Sequence, residues 1–144
     1  MRTLDRLVGV PLLGLHHAVY VRTGGRVGSR LGGVKLLMLH TLGRRSGQTR
    51  TVSLLYEPDG DAYVVVGSKG GSDRPPAWLL NLEAEPRCEV QVGTRRKWAR
   101  ARFAEGAERA RLWRLMTGTW PDYDRYQSQT QRQIPIVVLE PEAS

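Results

Sequence analysis

Residues 34–67 read VKLLMLHTLGRRSGQTRTVSLLYEPDGDAYVVVG. Short apolar runs at 34–42, 51–57 and 61–67 alternate here with two polar breaks, as strands alternate with turns. The first break, GRRSGQTR, is bounded by glycine. The second, at 58–60, is a turn sequence, because proline presets one backbone angle and Asp-Gly accepts a positive one. The stretch therefore predicts strands that follow one another through hairpins.

The rest of the chain adds short elements to these strands. Pro75 and Pro76 favour a helix over residues 77–85, because proline is accepted in a first helical turn. Alternating segments at 87–92 and 98–104, joined at Gly93, predict two strands, and residues 134–140 predict another. A second helix is expected over residues 107–117. About six strands joined mostly by hairpins exclude a doubly wound parallel sheet, so we expect a mostly β antiparallel barrel with accessory helices.

The N-terminal segment has a different pattern. Apolar residues recur there every three or four positions, as on an amphipathic helix, at Leu4, Leu7, Val8, Pro11, Leu12, Leu15 and Val19. The stretch is shorter than the ~20 residues of a membrane-spanning helix and lacks a signal-peptide pattern, so we expect a cytoplasmic protein. Its apolar stripe packs on the protein's own core, on a membrane surface or on a second subunit. The glycine and arginine content of residues 22–33 predicts a mobile connection, which divides the chain into residues 1–33 and a barrel domain at 34–144.

The charge distribution indicates an anionic ligand. The formal net charge is +8, and the segment from Arg6 to Tyr56 holds eight basic residues and no acidic one. From Glu57 to the end, thirteen basic residues balance thirteen acidic ones. A segment of one sign attracts a phosphate-bearing small molecule, a nucleic acid or an anionic membrane, unless it is only a solvated basic face.

Two loops carry this basic character. GRRSGQTR holds Arg44, Arg45, Ser46 and Arg50 together with two glycines, and guanidinium groups suit phosphates and carboxylates because their planar fork donates two parallel hydrogen bonds. SKGG, at 68–71, offers Lys69 directly after a strand, on a rim that strand-end loops can share. Neither loop is a Walker motif or a dinucleotide fingerprint.

Other candidate motifs are weaker. WPDYDRYQ, at 120–127, places Tyr123 and Tyr126 on one helical face, where core packing is the commoner role and stacking on a planar ligand the alternative. The three histidines do not suggest a catalytic triad. A single cysteine, Cys88, excludes an internal disulfide and argues against a metal site.

Five segments together resemble the deazaflavin (coenzyme F-420)-dependent nitroreductase and quinone reductase family of actinobacteria. They are HTLGRRSGQTRTVSLLY, YVVVGSKGG, PPAWLLNLEAEP, VQVG and WPDYDRYQSQTQRQIPIVVLEP, in order between about Leu36 and Pro141. The resemblance implies a split β-barrel of the FMN-binding type. It also implies an oxidoreductase that transfers hydride from reduced 8-hydroxy-5-deazaflavin to a quinone, a nitroaromatic or another electron-poor acceptor.

The resemblance also implies the site residues. The phosphodiester and oligoglutamate tail of the coenzyme would lie against Arg44, Arg45, Ser46 and Arg50. Further coenzyme contacts are implied at Thr51, Val52, Ser53, Leu54, Leu55, Val66, Gly67, Ser68, Lys69, Ala77, Trp78, Leu79, Leu80, Asn81 and Tyr123. Ser68, Tyr123 and Tyr126 are the candidates for donating a hydrogen bond to the acceptor as negative charge develops on it.

Several alternatives stay open at this point. FMN is the runner-up cofactor, although its single phosphate needs fewer cations than the arginine-rich loop provides. The protein could also be a non-catalytic deazaflavin carrier, and nucleic-acid binding ranks last. Nitroreducing relatives have tyrosine where Leu55 and Trp120 stand here, which favours quinones over bulky nitroimidazoles as acceptors. The sequence predicts no oligomeric state.

Overall fold

The computed structural model describes residues 30–31 and 34–143. These residues form seven strands, three α-helices and one short 3-10 helix at Lys69–Gly71. The strands are β1 Arg30–Leu31, β2 Val34–Leu42, β3 Thr49–Asp59, β4 Ala62–Val66, β5 Arg87–Val92, β6 Arg95–Phe103 and β7 Ile136–Pro141; the helices are α1 Ala77–Ala84, α2 Gly106–Thr119 and α3 Asp122–Ser128.

Six of the strands close into a barrel. The sheet order is β1-β2-β3-β4-β7-β6-β5, and β5 also pairs with β2, which closes the circle and leaves β1 as an appendage of β2. All pairings are antiparallel. Closure removes the unpaired strand edges that an open sheet would expose. The expected mostly β barrel with accessory helices is confirmed.

Strand alternation builds two separate hydrophobic clusters. On β2, Leu37 and Leu39 face one cluster while Leu36 and Met38 face the other. The first cluster takes residues from all six barrel strands, so it fills the barrel interior, and α1 contributes Trp78, Leu79 and Leu82 to it. The second cluster packs the outer face of β2, β3, β4 and β7 against α2 and α3. Because side chains alternate with period two, β2, β3, β4 and β7 each serve both clusters.

Most predicted elements appear close to their expected bounds, and two details differ. Pro58 was expected in a turn but lies within β3 opposite Tyr63, and the two-residue turn is Gly60 and Asp61, with Gly60 at φ 61°. Glycine, rather than proline, sets the turn position, because only the positive φ requires a particular residue. Arg30 and Leu31, expected in a mobile connection, pair with Lys35 and Val34 as β1.

The N-terminal predictions fall outside the described residues. The amphipathic stripe, His16 and His17 all lie there, as does the stretch at 22–29 of the predicted connection. Within the described ranges, none of the helices has the length and apolar character needed to cross a bilayer.

One end of the barrel carries the loops singled out by sequence. β2 ends there and β3 begins there, and since β4 runs antiparallel to β3, β4 also ends there. We call this end the loop rim. The segments at 43–48 and 67–72 therefore leave the same rim, as the sequence suggested they might.

Candidate functional site

The arginine loop, residues 43–48 between β2 and β3, is closed by its own backbone. The Gly43 amide donates to the Gln48 carbonyl at 2.8 Å, and the Gly47 amide donates to the Gly43 carbonyl at 2.9 Å. A side chain at Gly43 would lie 2.7 Å from Ser46 Oγ and 3.4 Å from Arg50 Cγ, so the loop folds tightly back toward Arg50. Glycine is required at this close approach.

Helix α1 fixes the loop from below through Asn81, which is 3% exposed. Asn81 Oδ1 accepts hydrogen bonds from the Arg44 amide at 3.1 Å and from Arg44 Nη1 at 3.2 Å. Its Nδ2 donates to the buried Thr41 hydroxyl at 3.1 Å. A buried amide whose oxygen and nitrogen both have partners is stabilising and directional. Asn81 thereby ties α1, β2 and the arginine loop together.

The arginines of this region have no acidic partner among the described residues. Arg44, Arg45 and Arg50 are all exposed. Elsewhere on the barrel, arginines make ion pairs: Arg102 with Glu108 and Glu140, and Arg111 with Asp59. No described carboxylate lies within 4 Å of the guanidinium groups of Arg44 and Arg45 in the loop or of Arg50 at the start of β3. Their charge is available to an external anion.

The second loop, residues 67–72, leaves the rim beside α1. A Cβ on Gly67 would lie 3.3 Å from both methyl groups of Leu79, so the loop packs directly on the helix that anchors the first loop. Lys69 is exposed and adopts φ 46°, the left-handed conformation that non-glycine residues seldom adopt. The two loops therefore both contact α1: Leu79 packs against the second loop, and Asn81 accepts hydrogen bonds from Arg44 of the arginine loop.

Arg132 holds this second loop from its other side. Its Nη2 donates to the carbonyls of Gly67 at 3.0 Å and Ser68 at 2.9 Å, and its Nε donates to the Ser72 carbonyl at 2.9 Å. Burial lowers the pKa of the Arg132 guanidinium. Three carbonyls on one half-buried cation fix the backbone that carries Ser68 and Lys69.

Sequence reasoning missed Arg132. It lies in the irregular stretch before β7, within a block quoted for the family resemblance, and no local pattern distinguishes it from a solvated arginine. The carbonyls to which its guanidinium donates are 60 or more positions away in the chain. The sequence marked Arg132 only as a member of that block, and this did not indicate that its side chain holds the second loop.

Strands β3 and β4 are paired with each other over a short stretch only. β3 pairs with β2 along Thr49–Tyr56, and β4 pairs with β7 along Tyr63–Val66. Between themselves, β3 and β4 register through Glu57, Pro58 and Asp59, at the far end from the rim. Among the described residues, the part of β3 nearer the arginine loop has no register pair on β4, and we call this unpaired interval between the two strands the wedge. The predicted coenzyme residues 51–55 lie on one side of this wedge, and Val66, Gly67 and Ser68 lie on the other.

The two tyrosines of α3 belong to the outer hydrophobic cluster. Tyr123 and Tyr126 are buried, with ring centroids 6.1 Å apart in an edge-to-face arrangement. Burial, and to a lesser extent Tyr126, raises the pKa of Tyr123, which keeps its phenol neutral at physiological pH. The Tyr126 hydroxyl accepts a hydrogen bond from Trp120 Nε1 at 3.4 Å, which leaves its own proton for donation.

Helix α3 also contacts the second loop. A Cβ on Gly71 would lie 2.9 Å from the Tyr126 carbonyl oxygen, so the loop and the helix approach closely there. Ser68, which is buried, directly precedes the 3-10 helix that ends at this contact. The core-packing expectation for the tyrosines is confirmed.

The predicted site residues fall into three groups. Arg44, Arg45, Ser46, Arg50, Lys69 and Ala77 are exposed; Thr51, Val52, Ser53, Leu54 and Leu80 are half-buried; and Leu55, Val66, Gly67, Ser68, Trp78, Leu79, Asn81, Tyr123 and Tyr126 are buried. Trp78 and Leu79 face the barrel interior, and the Asn81 amide is committed to Thr41 and Arg44. These three residues support the rim from below, whereas the exposed cations offer groups to a ligand.

The described residues offer no alternative metal chemistry. No group of three or more His, Cys, Asp or Glu side chains with metal-binding geometry occurs in this part of the chain. Cys88 is buried on β5 with its Sγ 3.7 Å from the Ala99 carbonyl, and burial raises its pKa to about 12. Such a thiol is a structural residue rather than a nucleophile.

Comparison with known proteins assigns a family to this geometry. The model of the F420H(2)-dependent quinone reductase family matches residues 12–141. An F420H(2)-dependent quinone reductase of Mycobacterium tuberculosis strain H37Rv is 46% identical over 142 residues, which cover 96% of this chain and 95% of that protein.

Solved structures agree with this match. A structure of an F420-H2 dependent reductase (FDR-A) superposes with a TM-score of 0.68 at 36% identity, over 73% of this chain and 93% of that one. A chain described as a domain-swapped dimer superposes with a TM-score of 0.71 at 31% identity, over 88% of this chain and 96% of that one. These similarities confirm the split-barrel fold. The chain belongs to the F420H(2)-dependent quinone reductase family, whose members are oxidoreductases with coenzyme F-420 as cofactor.

Proposed function

We propose that this chain reduces a quinone with hydride from coenzyme F-420, and that the arginine loop and the wedge between β3 and β4 form the coenzyme site. The observation that carries the proposal is the cluster of Arg44, Arg45 and Arg50 at the rim, exposed and without a described acidic partner. A phosphodiester with an oligoglutamate tail is a ligand of complementary charge. The residues present therefore fit the group that the family uses.

The chemistry of the reaction comes from the bound coenzyme, which supplies a hydride from its reduced ring. The protein's residues then have three tasks. The arginine loop binds the anionic appendage, and residues 51–55 on β3 orient the ring along the wedge. The buried outer cluster below Tyr123 and Tyr126 excludes water from that side.

A hydrogen bond to the acceptor is the remaining task. Ser68, Tyr123 and Tyr126 are buried residues with hydroxyl donors, and the helix that carries the two tyrosines approaches the second loop at Gly71. Among them, Tyr126 has an oxygen that already accepts from Trp120, so its proton is directed elsewhere. A donor held in place as negative charge develops on a quinone oxygen lowers the barrier without itself ionising.

Charge reversal of the loop tests the coenzyme site. A variant with Arg44, Arg45 and Arg50 changed to Glu should bind coenzyme F-420 at least about 100-fold more weakly, roughly 2.7 kcal/mol, in a fluorescence titration. The matched control changes Arg95, Lys97 and Arg114 to Glu, which are equally exposed and carry the same charge. Arg95 and Lys97 lie toward the opposite end of the barrel. Equal affinities of the two variants would refute the assignment of the anion site.

Turnover and selectivity distinguish the alternatives. Reduced coenzyme with menadione should show growth of the oxidised deazaflavin absorbance, and tight binding without this growth would indicate a carrier. Parallel titration with FMN should give weaker binding, because one phosphate engages fewer of the three arginines. Comparable affinity for FMN would favour the runner-up cofactor. A higher affinity for nucleic acid than for the coenzyme, with a steep fall as salt increases, would indicate a nucleic-acid-binding protein instead.

Two finer predictions accompany this proposal. Nitroaromatic reduction should be poor relative to quinone reduction, because neither Leu55 nor Trp120 carries the hydroxyl of the tyrosines in nitroreducing relatives. Leu55 is a buried apolar side chain, and the indole N–H of Trp120 donates to Tyr126. Attachment of the N-terminal stripe to a membrane surface would place the enzyme near lipid-soluble acceptors. Recovery of the protein entirely in the soluble fraction at low salt would count against that attachment.

A further inference from the structure

His40 has hydrogen-bond partners at both ring nitrogens. Its Nδ1 lies 2.8 Å from the hydroxyl oxygen of Thr51 on β3, and its Nε2 lies 3.1 Å from Oε1 of Gln91 on β5. The strand registers place His40 directly between Thr51 and Glu89, where β2 carries a neighbour on each side. The imidazole therefore links three strands just below the arginine loop.

The partners of Gln91 fix the direction of these hydrogen bonds. Gln91 is 3% exposed, and its Nε2 donates to the Gly93 carbonyl at 3.1 Å. Its Oε1 is then the atom that faces His40, and an amide oxygen only accepts. His40 Nε2 must carry the proton. In the neutral ring Nδ1 is consequently bare, so the Thr51 hydroxyl donates to Nδ1 and presents only lone pairs to any other group.

Protonation of His40 reverses the hydrogen bond between Nδ1 and the Thr51 hydroxyl. A charged imidazole donates from both nitrogens, so Thr51 Oγ1 accepts from Nδ1 and its own proton turns outward. The charged groups around His40 are Glu89 beside it on β5, Arg96 of β6 at 3.2 Å from the Glu89 carboxylate, and Arg50 next to Thr51 on β3. Glu89 is already paired with Arg96, and histidine is the side-chain type whose ordinary charge change lies between about pH 5 and 8.

We propose that His40 is a positioning residue that sets the direction of the Thr51 hydroxyl and thereby couples coenzyme affinity to proton uptake. The inference rests on the proposed function, in which Thr51 lines the coenzyme site. An anionic ligand is repelled by hydroxyl lone pairs and attracted by a hydroxyl proton. Binding is therefore tighter when His40 is charged, and the complex takes up a proton when binding starts from the neutral form.

The first test follows coenzyme binding across this pH range. Fluorescence titration of the wild type should show that its affinity for the coenzyme rises about tenfold as the pH falls from about 8 to about 5. Calorimetry in buffers of different ionisation enthalpy should show proton uptake on binding. His40→Gln keeps a hydrogen-bonding side chain that does not titrate, so its pH step and proton uptake should disappear. Ionisation of the coenzyme itself is common to all variants and cancels in the comparison.

Two substitutions at Thr51 separate the hydroxyl from the charge. Thr51→Ser keeps the hydroxyl, so the rise of coenzyme affinity at low pH should remain. Thr51→Val keeps His40 but has no hydroxyl, so that rise should disappear. Survival of the full step in Thr51→Val would overturn the inference, since the His40 charge would then act through space. An equal step in wild type and His40→Gln would overturn it as well.

A third measurement needs no coenzyme and no variant. Nitrogen NMR of the wild-type protein at neutral to alkaline pH should show the His40 tautomer with the proton on Nε2, and a proton on Nδ1 would overturn the inference. Failure of the proposed function has a different signature: coenzyme F-420 would not bind at any pH, while the tautomer would remain as described.

Discussion

Asn81 gives the most direct test of how helix α1 supports the arginine loop. Asn81→Leu preserves side-chain size but removes three hydrogen bonds, two from Arg44 and one to Thr41. The Arg44 guanidinium is exposed and regains water, so its bond contributes little. The Thr41 hydroxyl is 2% exposed and is left without this partner, at about 1–3 kcal/mol. With about 1 kcal/mol for the Arg44 amide, the free energy of unfolding should fall by about 2–4 kcal/mol.

A double-mutant cycle isolates the buried part of this loss. Thr41→Val alone should cost about 1–2 kcal/mol, since it leaves the Asn81 amide nitrogen short of an acceptor. Combined with Asn81→Leu, the total should be about 1 kcal/mol or more below the sum of the single losses, because neither orphaned group remains. Urea unfolding with unchanged m-values is the assay.

Loop anchoring has its own readout. Trypsin cleaves after arginine, and the arginine loop offers Arg44 and Arg45 at the surface. Release of the Arg44 amide from Asn81 should accelerate nicking there in Asn81→Leu, while Thr41→Val should change it little. A loss below about 0.5 kcal/mol in Asn81→Leu, with unchanged nicking, would refute the anchoring role.

Three further predictions concern the rim and the outer cluster. Gly71→Ala should lower the free energy of unfolding by about 3 kcal/mol or more, because φ is +85° and the new Cβ would lie 2.9 Å from the Tyr126 carbonyl oxygen. Gly60→Ala is the control, since Gly60 also has a positive φ but open space around it, and it should cost about 1 kcal/mol. Equal losses in the two variants would contradict this reasoning. Arg132→Lys should cost about 2 kcal/mol, because a single ammonium nitrogen cannot reproduce donors placed at both Nε and Nη2. The substitution should also lower quinone turnover, and full activity would contradict the positioning of Ser68. Because burial raises the pKa of Tyr123, the unfolded chain loses this proton first, so stability should fall as pH rises above about 10 and fall less steeply in Tyr123→Phe.

The barrel strands could be predicted because the apolar pattern of each strand matches the cluster or clusters that it faces. β2 is apolar on both faces, and β5 and β6 alternate, since their outer faces are not covered by α2 or α3. These patterns are local in the chain. The prediction that Pro58 lies in the turn was wrong because proline and glycine both occur in turns. The positive φ of Gly60 sets the position of the turn. β1 was missed because a two-residue strand has no period.

The site could be predicted only as separate parts. The sequence indicated the arginines of the first loop and Lys69 of the second, but not what holds them. Arg132 reaches Ser68 across 64 positions, and Asn81 reaches Arg44 across 37. Such contacts follow from strand registers and from the placement of α1, which no local pattern specifies. His40 was for the same reason assigned no role, although its partners on β3 and β5 are both within hydrogen-bond distance.

The rim combines opposing requirements. Binding a polyanion needs guanidinium groups without acidic partners, but uncompensated like charges in one short loop repel one another and favour an open conformation. The structure meets this by holding the loop with neutral groups: Asn81 accepts from Arg44, and the loop glycines allow the backbone to close on itself. An aspartate at position 81 would hold Arg44 more strongly but would also neutralise it. A neutral amide therefore keeps the loop in place while leaving its positive charge available, which explains why the anchoring side chain is buried and the anchored cations are exposed.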